Sequence, residues 1–316
     1  MKKILIGHPV PQALLNTLNQ ELEVHCIASV DQKYEQIIQV IDQYDALLAA
    51  AHKVDKAMMD KATHLQMISN HGVGYDNIDI EYARQKGIAV TNLPNSTSAP
   101  TATLAMSLIL SLMRRVVYCD RKLRQSEIQN WIDPNLYGHA PENKTLGIIG
   151  MGRIGKALAK RALAFDMKIC YHNRNPLSAD EAAAYQASYV SLDQLLAEAD
   201  VISIHTPLTP ETQYLISTPE FAKMKPNAFL INTSRGGVID QEALIQALQN
   251  KQIAGAGLDV FENEPEIPEA LLALDNVVLS PHIGTATVED RRAMMEEAFG
   301  NILKFFKGEP LHSRVV

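Results

Sequence analysis

Leu146-Gly147-Ile148-Ile149-Gly150-Met151-Gly152-Arg153-Ile154-Gly155 decides the fold of this chain. A short apolar run enters a G-x-G-x-x-G pattern, and residues 156–165 continue as a helix. In such a strand–turn–helix unit each glycine has its own physical reason. Gly150 permits the tight turn, Gly152 lets the backbone approach a pyrophosphate, and Gly155 lets the helix pack against the strand. The free N–H groups at the helix start then face the phosphates. The bare glycine pattern is a weak signal, because turn and packing alone can demand glycine. A strand before it and a helix after it make a dinucleotide site the better reading.

Outward from this stretch, short apolar runs alternate with helical patterns in both directions. Downstream, strands are predicted at 168–171, 201–204, 228–231, 253–258 and 277–279. Upstream they are predicted at 4–6, 24–27, 46–49, 67–69 and 88–90. Helical spacing covers Leu14, Leu15, Leu18 and Leu22, then residues 34–41 and 80–85. This alternation implies an α/β protein with two doubly wound parallel sheets. Residues 92–100, rich in Pro, Ser, Thr and Asn, mark a boundary. One long helix is predicted from about 98 to 124, with Pro100 in its first turn and an apolar face of Leu104, Leu108, Leu112 and Val116. Residues 129–143 read as an exposed loop. The last helix has Thr287 as its N-cap, with Asp290 three residues on, and Gly308 ends it.

Composition agrees. At about 150 residues per domain, 316 residues give two domains. With 47% hydrophobic and 21% charged residues, the chain is neither disordered nor collagen-like. Its 36 acidic and 29 basic side chains leave a net charge of −7, whereas a nucleic-acid binder carries a basic excess. Cys26, Cys119 and Cys170 form neither a disulfide framework nor a C-x-x-C pair, which fits a reducing cytoplasm. The apolar run at 4–6 is too short for a signal peptide, and 104–113 is too short to span a membrane. The histidines lack H-x-x-x-H and H-E-x-x-H spacing, so no metal site is expected.

A carboxylate usually follows such a glycine loop by about 20 residues, to hold the ribose 2′-hydroxyl. Here the strand ends in His172-Asn173-Arg174, and Asn173 stands where the acid belongs. A guanidinium attracts a 2′-phosphate that a carboxylate would repel. NADP(H) is therefore the expected cofactor, with NAD(H) as an alternative; Arg174 as a solvated surface residue is the competing reading. Three further segments sit at the ends of predicted strands, where doubly wound sheets place ligands. They are residues 232–237 with Arg235, 258–265 with Glu264, and 280–284 with His282. Singly these are a surface cation, a loop carboxylate and a structural histidine. Together they supply a cation, a carboxylate and an imidazole around one cofactor site.

On these motifs the chain resembles the D-isomer-specific 2-hydroxyacid dehydrogenase family. The resemblance rests on residues 72–79 (Gly-Val-Gly-Tyr-Asp-Asn-Ile-Asp), the glycine loop, His205-Thr206-Pro207-Leu208-Thr209, the Arg235 and Glu264 segments, and Pro281-His282-Ile283-Gly284. Tyr171-His172-Asn173-Arg174 is similar to the NADPH-using glyoxylate/hydroxypyruvate reductase branch. The family pattern implies a Rossmann-type cofactor domain, 99–284, inserted into a flavodoxin-like substrate domain formed by 1–98 and 285–316. It implies that His282 is the proton donor, that Glu264 is its partner, and that Arg235 binds the carboxylate of the substrate and polarises its carbonyl. The Val73 and Gly74 amides match a second carboxylate-binding element, which would place the active site in the cleft between domains. Gly150, Gly152, Arg153, Ile154 and Gly155 would contact the pyrophosphate, and Asn173 and Arg174 the ribose. His205, Pro207, Thr212, Thr233, Ser234, Asp259, His282 and Gly284 are the other cofactor contacts implied.

The expected reaction reduces a small anionic 2-oxo acid, such as glyoxylate, hydroxypyruvate or 2-ketogluconate, to the D-2-hydroxy acid. The enzyme would be a cytoplasmic homodimer with no nucleic-acid or membrane partner, joined through the long helix and the loop around 131–137. The alternatives are an NAD-dependent dehydrogenase of the phosphoglycerate type and a non-catalytic dinucleotide sensor resembling co-repressors. The complete set of Arg235, Glu264 and His282 favours the enzyme. Two positions stand apart. Thr103 occupies a place where the family often has glutamate, and His52, in the loop after the third strand, is either a substrate contact or a solvated side chain.

Overall fold

Parallel strands covered on both faces need long apolar runs rather than alternation, and the central strands have them. A computed structural model describes residues 1–10, 15, 16, 22–29, 31, 33–50 and 52–316. Leu14 and Leu18 of the predicted first helix lie outside the described residues. The chain divides into two compact units, Met1–Thr97 with Thr287–Val316, and Ser98–Ala286.

The first unit holds a five-stranded parallel sheet of β1 (Lys3–Ile6), β2 (Glu23–Cys26), β3 (Ala46–Ala49), β4 (Met67–Asn70) and β5 (Ala89–Thr91). Its order, β2-β1-β3-β4-β5, is the flavodoxin-like one, with the switch point between β1 and β3. Every residue of β3 and β4 is buried. The helix Val288–Lys307 belongs to this unit because Met294, Met295, Ala298, Phe299 and Ile302 pack on Ile4, Ile6, Leu48 and Met67. Thr287 caps it by accepting from the Asp290 amide at 3.0 Å, and Gly308 ends it at φ 70°.

The second unit holds a seven-stranded parallel sheet. Its strands are β6 (Thr145–Ile149), β7 (Lys168–His172), β8 (Ala187–Tyr189), β9 (Val201–Ile204), β10 (Phe229–Asn232), β11 (Gly255–Leu258) and β12 (Val277–Leu279). The order β12-β11-β10-β9-β6-β7-β8 reverses between β6 and β9, which is the Rossmann switch point. Two apolar layers cover the sheet. One gathers Leu195, Leu196, Phe221 and Leu244, and the other Leu108, Ile109, Leu158 and Ala162.

Two elements depart from the sequence reading. Strand β8 is an edge strand whose Ser188 and Tyr189 are exposed, so it carries no apolar run to betray it. The single helix predicted from 98 to 124 is two helices, Pro94–Met113 and Val116–Arg124. The break falls at Arg115, in the left-handed region at φ 54° with its guanidinium 4.0 Å from the Tyr118 ring. Glycine or asparagine usually takes that conformation, and nothing in Arg114-Arg115 signals it. The first helix also starts at Pro94 rather than 98, so Pro100 sits inside it and not in its first turn, and past the break Val116 is 55% exposed instead of extending the buried face. By length and composition the first helix could span a membrane, but Ala102, Ala105, Leu108 and Ile109 pack it into the core.

Candidate active site

The glycine loop leaves β6 at the switch point. Gly150 has φ 97°, and a Cβ there would lie 2.7 Å from the His205 carbonyl oxygen. A Cβ on Gly155 would lie 2.5 Å from the Gly150 carbonyl oxygen and 3.0 Å from Ile148, the close helix–strand approach expected of it. A Cβ on Gly152 would meet nothing within 4 Å, so the space above the loop is open on the side where a phosphate would approach. Gly152 is the N-cap of the helix Arg153–Leu163 and supplies no side-chain cap to its first N–H groups. Uncapped helix amides with a positive dipole end suit a pyrophosphate.

Buried polar atoms test the fit further. His205 Nδ1, Thr206 Oγ1 and Thr233 Oγ1, which follow β9 and β10, are buried and find no partner among the described residues. Such groups ordinarily have hydrogen bonds, and a ribose or a carboxamide can provide them. The donor set therefore fits a nicotinamide dinucleotide. Burial lowers the His205 pKa to about 4, so this imidazole is neutral, with Nε2 2.9 Å from Ser203 Oγ. Thr212 holds the loop from beneath, donating to the Pro207 carbonyl at 2.6 Å and accepting from the Thr209 amide at 2.8 Å. At the end of β7, Asn173 Oδ1 accepts from the Met151 amide at 2.7 Å, which ties this strand to the glycine loop. Arg174 is exposed, and the Tyr189 hydroxyl donates to the Asn173 carbonyl at 3.3 Å.

The chemistry-bearing side chains follow β10, β11 and β12. Glu264 Oε2 lies 2.8 Å from His282 Nδ1, and its Oε1 accepts from the Phe261 amide at 3.0 Å. Burial pushes the Glu264 pKa up, but the His282 bond and charge, the Phe261 amide and the Arg235 charge outweigh it, leaving the net shift downward. Glu264 is thus ionised at neutral pH.

His282 sits in the left-handed region at φ 52°. Its amide donates to the Asp259 carbonyl at 2.9 Å. The buried Asp259 carboxylate accepts from Ser280 Oγ at 2.6 Å, the Ile283 amide at 2.8 Å and the Gly284 amide at 2.9 Å. Burial pushes the Asp259 pKa upward against these donors. Asp259 therefore fixes the loop that carries His282.

Arg235 leaves β10 in extended conformation, and one of its guanidinium nitrogens donates to the Ser234 carbonyl at 2.9 Å. A Cβ on the next residue, Gly236, would fall 2.0 Å from the Phe261 carbonyl carbon. The Arg235 loop thus rests directly on the backbone that leads to Glu264. The structure places Arg235, Glu264, His282, Ser234, Thr233, Asp259 and Gly284 at the carboxyl ends of adjacent strands of one sheet. Asn232 and Ser280, which the sequence reading left without a role, brace them; both lie within the quoted segments, and only their hydrogen bonds mark them out.

In the first unit, the carbonyls around Val73 and Gly74 are held by side-chain amides. Asn92 donates to Val73 at 2.8 Å, and Asn70 donates to Gly74 at 2.6 Å. His52 is not a solvated residue: it is only 6% exposed. Its ring occupies space that a Cβ on Gly7 would fill, 2.3 Å from Cε1, and Nδ1 lies 3.1 Å from the Ala50 carbonyl oxygen. Sequence could not show this, because the vacancy depends on Gly7 at the end of the neighbouring strand. His8 and His71 stack nearby with ring centroids 4.9 Å apart.

Burial lowers the pKa of His8 to about 4, of His52 to about 4 and of His71 to about 3. The Lys33 charge adds to this at His8 and His52, and the Arg291 charge at His8 and His71. In the unfolded chain these imidazoles protonate near 6.5, while in the fold they resist. Their neutral state therefore gives full stability above about pH 6.5, and stability falls as pH drops toward 4. Melting temperature measured from pH 7 to 4.5 should decline, and His71→Phe should decline less steeply. Equal slopes would reject the neutral cluster as a cause.

An imidazole paired with a carboxylate and a glycine loop of the dinucleotide-binding kind, both at strand ends of one sheet, are the parts found in a dehydrogenase, and that is the class to which the fold points. Residues 106–284 match the family model of the NAD-binding domain of D-isomer-specific 2-hydroxyacid dehydrogenases. A glyoxylate reductase from Thermococcus litoralis is 48% identical over 280 residues, covering 86% of this chain and 84% of that protein. Among solved structures, a glyoxylate reductase from Paecilomyes thermophila superposes with TM-score 0.88 at 34% identity, covering 99% of this chain and 98% of the other. An NADPH-dependent glyoxylate/hydroxypyruvate reductase from Sinorhizobium meliloti, solved with NADP and malonate, gives 0.86 at 32% identity, covering 100% and 97%.

The chain belongs to the D-isomer-specific 2-hydroxyacid dehydrogenase family. It is an NAD(P)-dependent oxidoreductase working between a 2-oxo acid and a 2-hydroxy acid.

Proposed function

We propose that this enzyme reduces a small 2-oxo acid, of the glyoxylate, hydroxypyruvate or 2-ketogluconate kind, to the D-2-hydroxy acid, with NADPH preferred over NADH. The observation that carries the catalytic part is the 2.8 Å contact between His282 Nδ1 and Glu264. The dinucleotide, when bound, supplies the hydride that C2 takes. The chain supplies the rest. Ionised Glu264 accepts from Nδ1–H, which fixes the imidazole and leaves Nε2 to give its proton to the developing alkoxide. Arg235 holds the substrate carboxylate and polarises the carbonyl, since a guanidinium fork can bond both oxygens.

The NADPH preference is supported by the absence of a carboxylate in His172-Asn173-Arg174 and by the exposed cation of Arg174. The Met151 bond to Asn173 is one that a neutral amide makes without placing a negative charge near a 2′-phosphate. The Sinorhizobium meliloti relative is NADPH-dependent, and the Thermococcus relative reduces glyoxylate. Absorbance at 340 nm should fall with several 2-oxo acids, and kcat/KM should be higher with NADPH than with NADH. A clearly higher value with NADH would overturn the preference. Dinucleotide binding without turnover of any 2-oxo acid would replace the enzyme with a sensor.

A further inference from the structure

We infer that Asn232 is the positioning residue for Arg235; this rests on Arg235 being the substrate cation, as proposed above. Asn232 is the last residue of β10, paired with Ile204 on one side and Leu258 on the other, and it is 1% exposed. Its side chain turns forward along its own chain and closes on the loop that follows. Oδ1 accepts from the Ser234 amide at 3.0 Å and from Ser234 Oγ at 2.8 Å, while Nδ2 donates to the Arg235 carbonyl at 2.9 Å.

This combination is chemically narrow. Two acceptances at one atom and a donation from a second atom of the same short side chain suit a carboxamide, whereas a hydroxyl would have to make all three from one oxygen. Aspartate keeps the acceptances and loses the donation; alanine or leucine loses all three. The three bonds fix the peptide before Ser234, the Ser234 hydroxyl and the peptide after Arg235, so they set the direction in which Arg235 leaves the strand. On the far side the loop is blocked, because Gly236 already touches the Phe261 backbone. Asn232 therefore holds the loop from the sheet side while Phe261 limits it from the other. Asn232 acts on the substrate through Arg235, and saturating dinucleotide sets aside its bonds to Ser234, so its contribution to substrate turnover depends on the guanidinium being there.

A double-mutant cycle tests this, with glyoxylate as the probe substrate and saturating dinucleotide. Asn232→Ala should lower kcat/KM roughly 10- to 100-fold, the scale of coupling within one hydrogen-bond network. In the Arg235→Ala background the same change should cost less than about twofold. A purely structural role would cost the same in both backgrounds, and that result overturns the inference. Should Arg235→Ala by itself leave kcat/KM unchanged, the substrate-cation reading fails instead. Far-ultraviolet circular dichroism and melting temperature show whether Asn232→Ala folds. If it does not, Asn232→Asp takes its place in the cycle, keeping the acceptances and turning the donation to the Arg235 carbonyl into a repulsion, with the same two outcomes.

Discussion

His282→Ala should lower kcat by about 10²–10⁴, the range typical of a lost general acid. The fold itself should survive. The imidazole is half-exposed, and among the described residues its side-chain hydrogen bond is to Glu264, so little packing goes with it. The backbone at φ 52° is costly for any residue with a Cβ, by about 1–3 kcal/mol. It persists because Asp259 accepts the His282 amide on its carbonyl and the Ile283 and Gly284 amides on its carboxylate. That scaffold stays in the alanine variant. Dinucleotide affinity, measured by fluorescence titration, should therefore change far less than turnover. Near-wild-type turnover would remove His282 from the proton-donor role.

The parallel sheets and the glycine loop were legible because their causes are local. An apolar run of four or five residues is its own strand signal when both faces are buried, and three glycines at fixed spacing meet three separate steric demands. Arg235, Glu264 and His282 were legible as a set because each lies just past a strand end, and parallel strands bring their carboxyl ends together. What escaped depends on groups distant in the chain, or on conformations that composition does not encode. His52 reads as polar, and its burial follows from the missing side chain at Gly7. Arg115 breaks a helix without glycine or proline, through a left-handed turn. Asn232 looked like a strand-terminal polar residue, yet its carboxamide makes three bonds to the next turn of chain.

Arg235→Ala should raise KM for the 2-oxo acid and also slow turnover, lowering kcat/KM by roughly 30- to 4,000-fold. The estimate follows from removing one partner of a hydrogen-bonded charge pair, which costs about 2–5 kcal/mol, at about 1.4 kcal/mol per tenfold change. Both parameters should move because the proposed mechanism gives the guanidinium two duties. Holding the carboxylate is binding common to ground and transition states, whereas polarising the carbonyl strengthens as negative charge develops on oxygen. Arg235→Lys should recover only part of the loss, since an ammonium lacks the planar fork.

A further signature separates lost charge from a disordered loop. Burial raises the Glu264 pKa, the His282 bond and charge lower it most, and the Arg235 charge lowers it further. Removing Arg235 takes away one lowering cause, so Glu264 should take up its proton at higher pH. On the proposed mechanism activity needs ionised Glu264, so the acidic limb of the kcat profile should move upward in Arg235→Ala, and Arg235→Lys should leave it near the wild-type position. An unchanged kcat/KM in the alanine variant would reject Arg235 as the substrate cation, and a lower kcat/KM with an unmoved acidic limb would confine its role to substrate binding.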